Sequence, residues 1–110
     1  MRVISQDGTI DTPYELSMIW IREKYGYSVM ANMPNDDPVE LGKYLSREKA
    51  LKVMEVLRKQ YKALEVLKVL ANGTEEHMEK SFKPDEFAEY NRAYRDMNVF
   101  QFPQDDEVEV

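Results

Sequence analysis

The chain has no cysteine, one histidine, one tryptophan and only four glycines among its 110 residues. Without cysteine there are no disulfides, thiolate metal sites or cysteine nucleophiles, a composition that suits a reducing cytoplasm. His77 alone gives a Ser-His-Asp or Cys-His arrangement very little to be built from. The glycines Gly8, Gly26, Gly42 and Gly73 stand apart, so no phosphate-cradling loop is written into the chain. No apolar run approaches the roughly 20 residues of a membrane-spanning helix. Residues Met1 to Asp7 lack the apolar core of a secretory leader. These absences lead us to expect a soluble, cytoplasmic protein with no membrane partner.

What is present is an ordinary globular balance, 43% hydrophobic and 33% charged, in a chain long enough for one core. The net charge of −6 is unevenly spread. From Lys43 to Lys68 eight basic residues stand against three acids, a balance of +5 that leaves −11 for the remainder. A solvated helix face beside acidic loops accounts for this polarity, which also gives the molecule an oriented field for a partner.

Asp7-Gly8 favours a type I′ turn, whose two central residues both need φ > 0. It is therefore expected to join arms over Arg2 to Gln6 and Thr9 to Thr12, with Pro13 ending the second. Leu16 to Glu23 is rich in β-branched and aromatic residues and reads as a strand, with Met18, Trp20 and Arg22 on one face and Ile19 and Ile21 on the other. Tyr27 to Met33 and Val39 to Leu45 read as the next two strands, separated by a loop at residues 34–38. Gly42 suggests a bulge or a close backbone approach.

At Ser46, a good N-cap, the period becomes helical. Ala50, Val53, Leu57, Leu64, Leu67 and Ala71 form a stripe interrupted by Gln60, and Asn72-Gly73 offers a stop. A single helix over residues 47–71 would span about 37 Å and overhang a domain of this size, so a break near Gln60-Tyr61 or cover from another subunit is required. Residues 74–81 read as a polar loop. Pro84 opens a second helix whose apolar face carries Phe87, Tyr90, Ala93, Tyr94 and Met97. Asn98 to Phe102 looks extended and offers a last strand.

Few residues suggest chemistry. His77 lies among Glu75, Glu76 and Glu79 in a spacing that matches no metal site. Asp7, Asp11 and Glu15 would need a defined separation and one raised pKa to act as paired acids, while Asp7 and Asp11 already suit turn positions. Asn35-Asp36-Asp37 is cut short by Pro38 and cannot form a calcium loop. No catalytic, cofactor-binding or metal-binding residue is assigned. Trp20, Tyr25 and Tyr27 could stack a ligand, but core or cross-strand packing explains them better. The basic residues Arg58, Lys59 and Lys62 could meet phosphates, although the acidic remainder opposes a polyanion.

Three blocks carry a resemblance: Met1 to Glu15 (MRVISQDGTIDTPYE), Leu41 to Tyr61 and Asn98 to Val110 (NVFQFPQDDEVEV). Together they cover 49 of the 110 residues. The sequence resembles a group of small phage and mobile-element proteins of Gram-positive bacteria. That resemblance implies a phage or mobile-element setting and supplies no catalytic residues.

The expected architecture is α+β: an antiparallel meander covered by the helix starting at Ser46, followed by a second, C-terminal helix. Residues 1–103 are expected to form one domain and 104–110 a flexible acidic tail. The expected role is a non-catalytic interaction or assembly module, homodimeric and joined to a further protein partner. Leu64, Leu67, Leu70, Arg58, Lys59 and Lys62 are its candidate contact residues. The alternative is a small regulator that meets nucleic acid, or a nucleic-acid-binding protein, through the basic helix.

Overall fold

The computed structural model describes the backbone of residues 1–81 and 84–110 and the side chains of residues 1–69, 89 and 91–110. The fold is α+β, with two three-stranded sheets and two helices among the described residues. The single meander expected from the sequence is thus divided. The first sheet, in the order β2-β1-β6, joins the two ends of the chain. In it β1 (Arg2–Ile4) pairs antiparallel with β2 (Asp11–Pro13) and parallel with β6 (Val99–Gln101). A parallel neighbour needs a long crossover, which both helices supply.

Asp7-Gly8 does turn the chain, but not as a two-residue type I′ hairpin. The last pair of the ladder is Ile4 with Asp11, and only Gly8 of the dipeptide is left-handed, at φ +75°. Asp7 is kept out of that region by its own side chain. Its Oδ1 accepts hydrogen bonds from Ser5 Oγ (2.6 Å), the Thr9 amide (3.0 Å) and Thr9 Oγ1 (2.7 Å). The Gly8 amide donates to the Ser5 carbonyl at 3.0 Å and closes the turn. A Cβ at Gly8 would meet nothing within 4 Å, so a substitution there reports backbone strain alone. Gly8→Val should cost about 1–2 kcal/mol, and Gly8→Asn clearly less, because asparagine tolerates the left-handed region. Paired urea denaturation curves would check both values.

The second sheet is antiparallel, in the order β3 (Met18–Glu23), β4 (Tyr27–Asn32), β5 (Val39–Tyr44). Val29 and Ala31 of the central strand join the core with Ile19, Ile21 and Leu41, as the alternation requires. Gly42 serves both of its expected purposes. The register steps between Val29, opposite Gly42, and Met30, opposite Glu40, so Leu41 is the extra residue of a bulge. A Cβ on Gly42 would lie 3.0 Å from Tyr44 Oη and 3.2 Å from Phe102 Cδ1, which makes it a close approach as well.

Helix α1 (Arg47–Ser81) starts where Ser46 Oγ accepts the Lys49 amide at 3.2 Å. Its buried stripe of Ala50, Val53, Leu57 and Leu64 closes the core. Gln60 interrupts that stripe for a reason: its side-chain amide donates to the carbonyls of Met97 (2.9 Å) and Val99 (3.0 Å), tying the helix to the start of β6. The expected stop at Asn72-Gly73 and the expected loop at residues 74–81 are both corrected, since α1 continues unbroken for 35 residues. One glycine costs a helix only about 1 kcal/mol, and the glutamates and lysine that follow are good helix formers. At 1.5 Å per residue α1 is about 52 Å long, close to the 55 Å longest dimension of the chain. Its overhang raises the radius of gyration to 16.6 Å, against about 13 Å for a compact chain of this size. Helix α2 (Pro84–Met97) returns against α1, and its Tyr94 and Met97 pack on the core.

The acidic end is tied to the body of the fold. Asp105 accepts the Leu45 amide (2.8 Å) and pairs with Lys49 Nζ (3.0 Å), while Val108 packs against the core. Gln104 and Glu107 form a capping box around the 3₁₀ turn at Asp105–Glu107.

Candidate interaction surface

The outward side of α1 carries the sequence-selected basic residues. Lys59 and Lys62 are exposed, and Lys59 reaches back to Glu55 at 2.7 Å. Val66 and Val69, one and two turns beyond Lys62, are 61% and 69% exposed. Arg58 is exposed too, but it borders a 220 Å³ cavity between α1 and β3 lined by Tyr14, Ser17, Ile19, Met54 and Leu57. Leu64 is wholly buried within the chain, so it belongs to the core and not to a docking surface. Leu67 is half-buried, and the side chain of Leu70 lies outside the described residues. Among the described residues of this segment, the large apolar side chains left exposed are therefore those of Val66 and Val69.

The N-terminal acids are engaged in the fold. Asp11 accepts a hydrogen bond from Arg2 Nε at 2.9 Å, a cross-strand pair of the first sheet. Glu15 accepts the Met1 ammonium at 2.5 Å. The side chain of His77 lies outside the described residues. Hydrogen bonds from Ser5, then from Thr9, hold the Asp7 carboxyl down at about 2. Partial burial would raise Glu15, but the hydrogen bond and charge of the Met1 ammonium, a backbone hydrogen bond and the charge of Lys68 together outweigh it and lower the group. The Leu45 amide, then Lys49, lowers Asp105.

A carboxylate whose folded pKa is depressed stabilises the fold above its unfolded value and loses that contribution as pH falls through the folded one. The three groups therefore predict stability that is flat near neutrality and declines from about pH 4.5 towards pH 2. Asp7→Asn should remove the most acidic part of that decline. Thermal melts of both proteins over that range would check it.

The outer face of the second sheet is exposed along β3 and closed over the central strand, where Ser28 and Met30 are buried. Met18 is 62% exposed, Trp20 Nε1 donates to Asn32 Oδ1 at 2.9 Å, and Arg22 lies 3.8 Å from Glu40. Trp20 stands directly across from the buried Met30. The aromatic set does not assemble: Tyr27 packs on the core side, and Tyr25 sits in the β3–β4 turn at φ 54°, 86% exposed.

Sequence reasoning missed Gln6. Its amide donates to the Leu41 carbonyl (2.8 Å), and its side-chain oxygen accepts the Lys43 amide (2.8 Å). Its Nε2 donates to the Pro103 carbonyl at 2.9 Å. Gln6 thus does for the outer edge of β5 what a neighbouring strand would do. Nothing local in the sequence marks a contact made 37 residues away.

Compared with protein-family models, curated proteins and solved structures, the chain has no match in any of the three.

Proposed function

We propose that the chain is a non-catalytic protein-interaction or assembly module that works as a homodimer, in the phage or mobile-element setting that the sequence resemblance implies. The observation that supports this reading is apolar surface beyond what one chain covers. Leu16 and Met18, just before and at the start of β3, are each more than half exposed. Leaving such side chains largely in water forgoes part of the about 1.5–3 kcal/mol that full burial of each contributes, and a closed two-fold pair is the commonest way to cover them.

Co-expression of two differently tagged copies tests the reading. Val110 is 77% exposed, so C-terminal tags leave the fold alone. Each tag is expected to recover the other copy, and recovery of one copy only would contradict the dimer. The nucleic-acid alternative is tested in parallel by retention on duplex and single-stranded DNA near about 50 mM salt, where phosphate contacts are strong. No retention is expected. Salt-sensitive retention abolished by Arg58→Glu, Lys59→Glu and Lys62→Glu together would replace the present reading.

A further inference from the structure

The two edges of the second sheet are treated differently. The outer edge of β5 is closed by Gln6 and by Asp105, which takes the Leu45 amide. The outer edge of β3 has no such partner: among the described residues, no hydrogen bond beyond its ladder with β4 reaches the backbone of Met18–Glu23. Natural sheets guard such edges with proline, lysine, bulges or a covering loop. The strand Met-Ile-Trp-Ile-Arg-Glu holds no proline and no lysine; its two charged residues, Arg22 and Glu23, stand together at one end, close to Glu40 and Arg47, and the bulge of this sheet lies on the far side, between β4 and β5. The 220 Å³ cavity lined by Ile19, Met54 and Leu57 lies beside the same strand.

We infer that the bare β3 edge is where two copies of the chain join, each adding its β3 antiparallel to the other to make one six-stranded sheet. This rests on the homodimer reading above and places its interface. The charges of the strand select a second copy in that direction. Arg22 and Glu23 lie together at one end, so a parallel copy would set Arg22 beside Arg22 and Glu23 beside Glu23, which is repulsive. An antiparallel copy centred on Trp20 carries them to opposite ends, against the neutral Met18 and Ser17. It also sets Ile19 against Ile21, continuing the apolar core side across the junction, and brings the exposed Met18 under cover. A strand is the chemistry the edge fits, because its unpaired amides and carbonyls repeat at the spacing another strand presents.

Met18→Lys puts a charge on this edge at a position already 62% exposed, so the fold itself should be kept. Light scattering is expected to read the variant at the 13.0 kDa chain mass where the parent reads twice that value. Circular dichroism should be unchanged. Hydrogen exchange supplies the second readout: protection of the outward β3 amides in the parent should rise with concentration and be lost in the variant. A parent that dimerises equally well with Met18→Lys, but becomes monomeric with Val66→Glu and Val69→Glu, would overturn the edge assignment and leave the homodimer standing. A parent that is monomeric throughout would overturn both.

Discussion

Phe102→Ala is expected to cost about 3–5 kcal/mol, the range for a fully buried aromatic truncated in a packed core. Phe102 is 1% exposed and meets Phe100 edge-on at 5.4 Å between ring centroids. It also fills the space that Gly42 leaves open beside Tyr44, so alanine creates a cavity where the two sheets meet. Its amide donates to the Ile4 carbonyl at 2.9 Å, and the neighbouring Pro103 carbonyl accepts both Tyr44 Oη (2.8 Å) and Gln6 Nε2 (2.9 Å). Loosening Phe102 therefore weakens the joint between the C-terminal strand and both sheets. Against the roughly 5–15 kcal/mol total stability of a domain this loss is large. It should appear as a lowered midpoint in chemical denaturation, with the slope unchanged.

Leu64→Ala is expected to be nearly as damaging, at about 2–5 kcal/mol, while Val66→Ala two residues along stays within about 0.5 kcal/mol. The contrast follows from exposure, 0% for Leu64 and 61% for Val66. Sequence pattern alone placed Leu64 with Leu67 and Leu70 as a contact surface. The structure assigns it to the core, together with Leu57 and Val53. Equal effects at the two positions, read from the same denaturation curves, would contradict this division of the helix.

The order of elements was legible in the sequence wherever a local rule governs it. Ser46 caps α1, Pro84 opens α2, Pro13 ends β2 and Gly42 marks the bulge, because caps, rings and missing Cβ atoms act on their own neighbours. Long-range pairing was not legible. Asn98 to Phe102 reads as a strand, but its parallel place beside β1 depends on where two helices deliver it. The split into two sheets depends in turn on that strand. The Asp7-Gly8 reading went astray because three hydrogen bonds to the aspartate fix a longer loop, closed from Ser5 to Ile10. The end of α1 was missed because one glycine is a weaker signal than the helix formers on either side of it. Of the candidate surface, Lys59 and Lys62 were found from charge, whereas the bare β3 edge became visible only once Gln6 was seen closing the opposite one.

Light scattering on the unmodified chain over a wide concentration series tests self-association most directly. The account predicts a mass approaching twice 13.0 kDa as concentration rises. A mass that stays at 13.0 kDa, with the chain folded at the highest concentration reached, would contradict it.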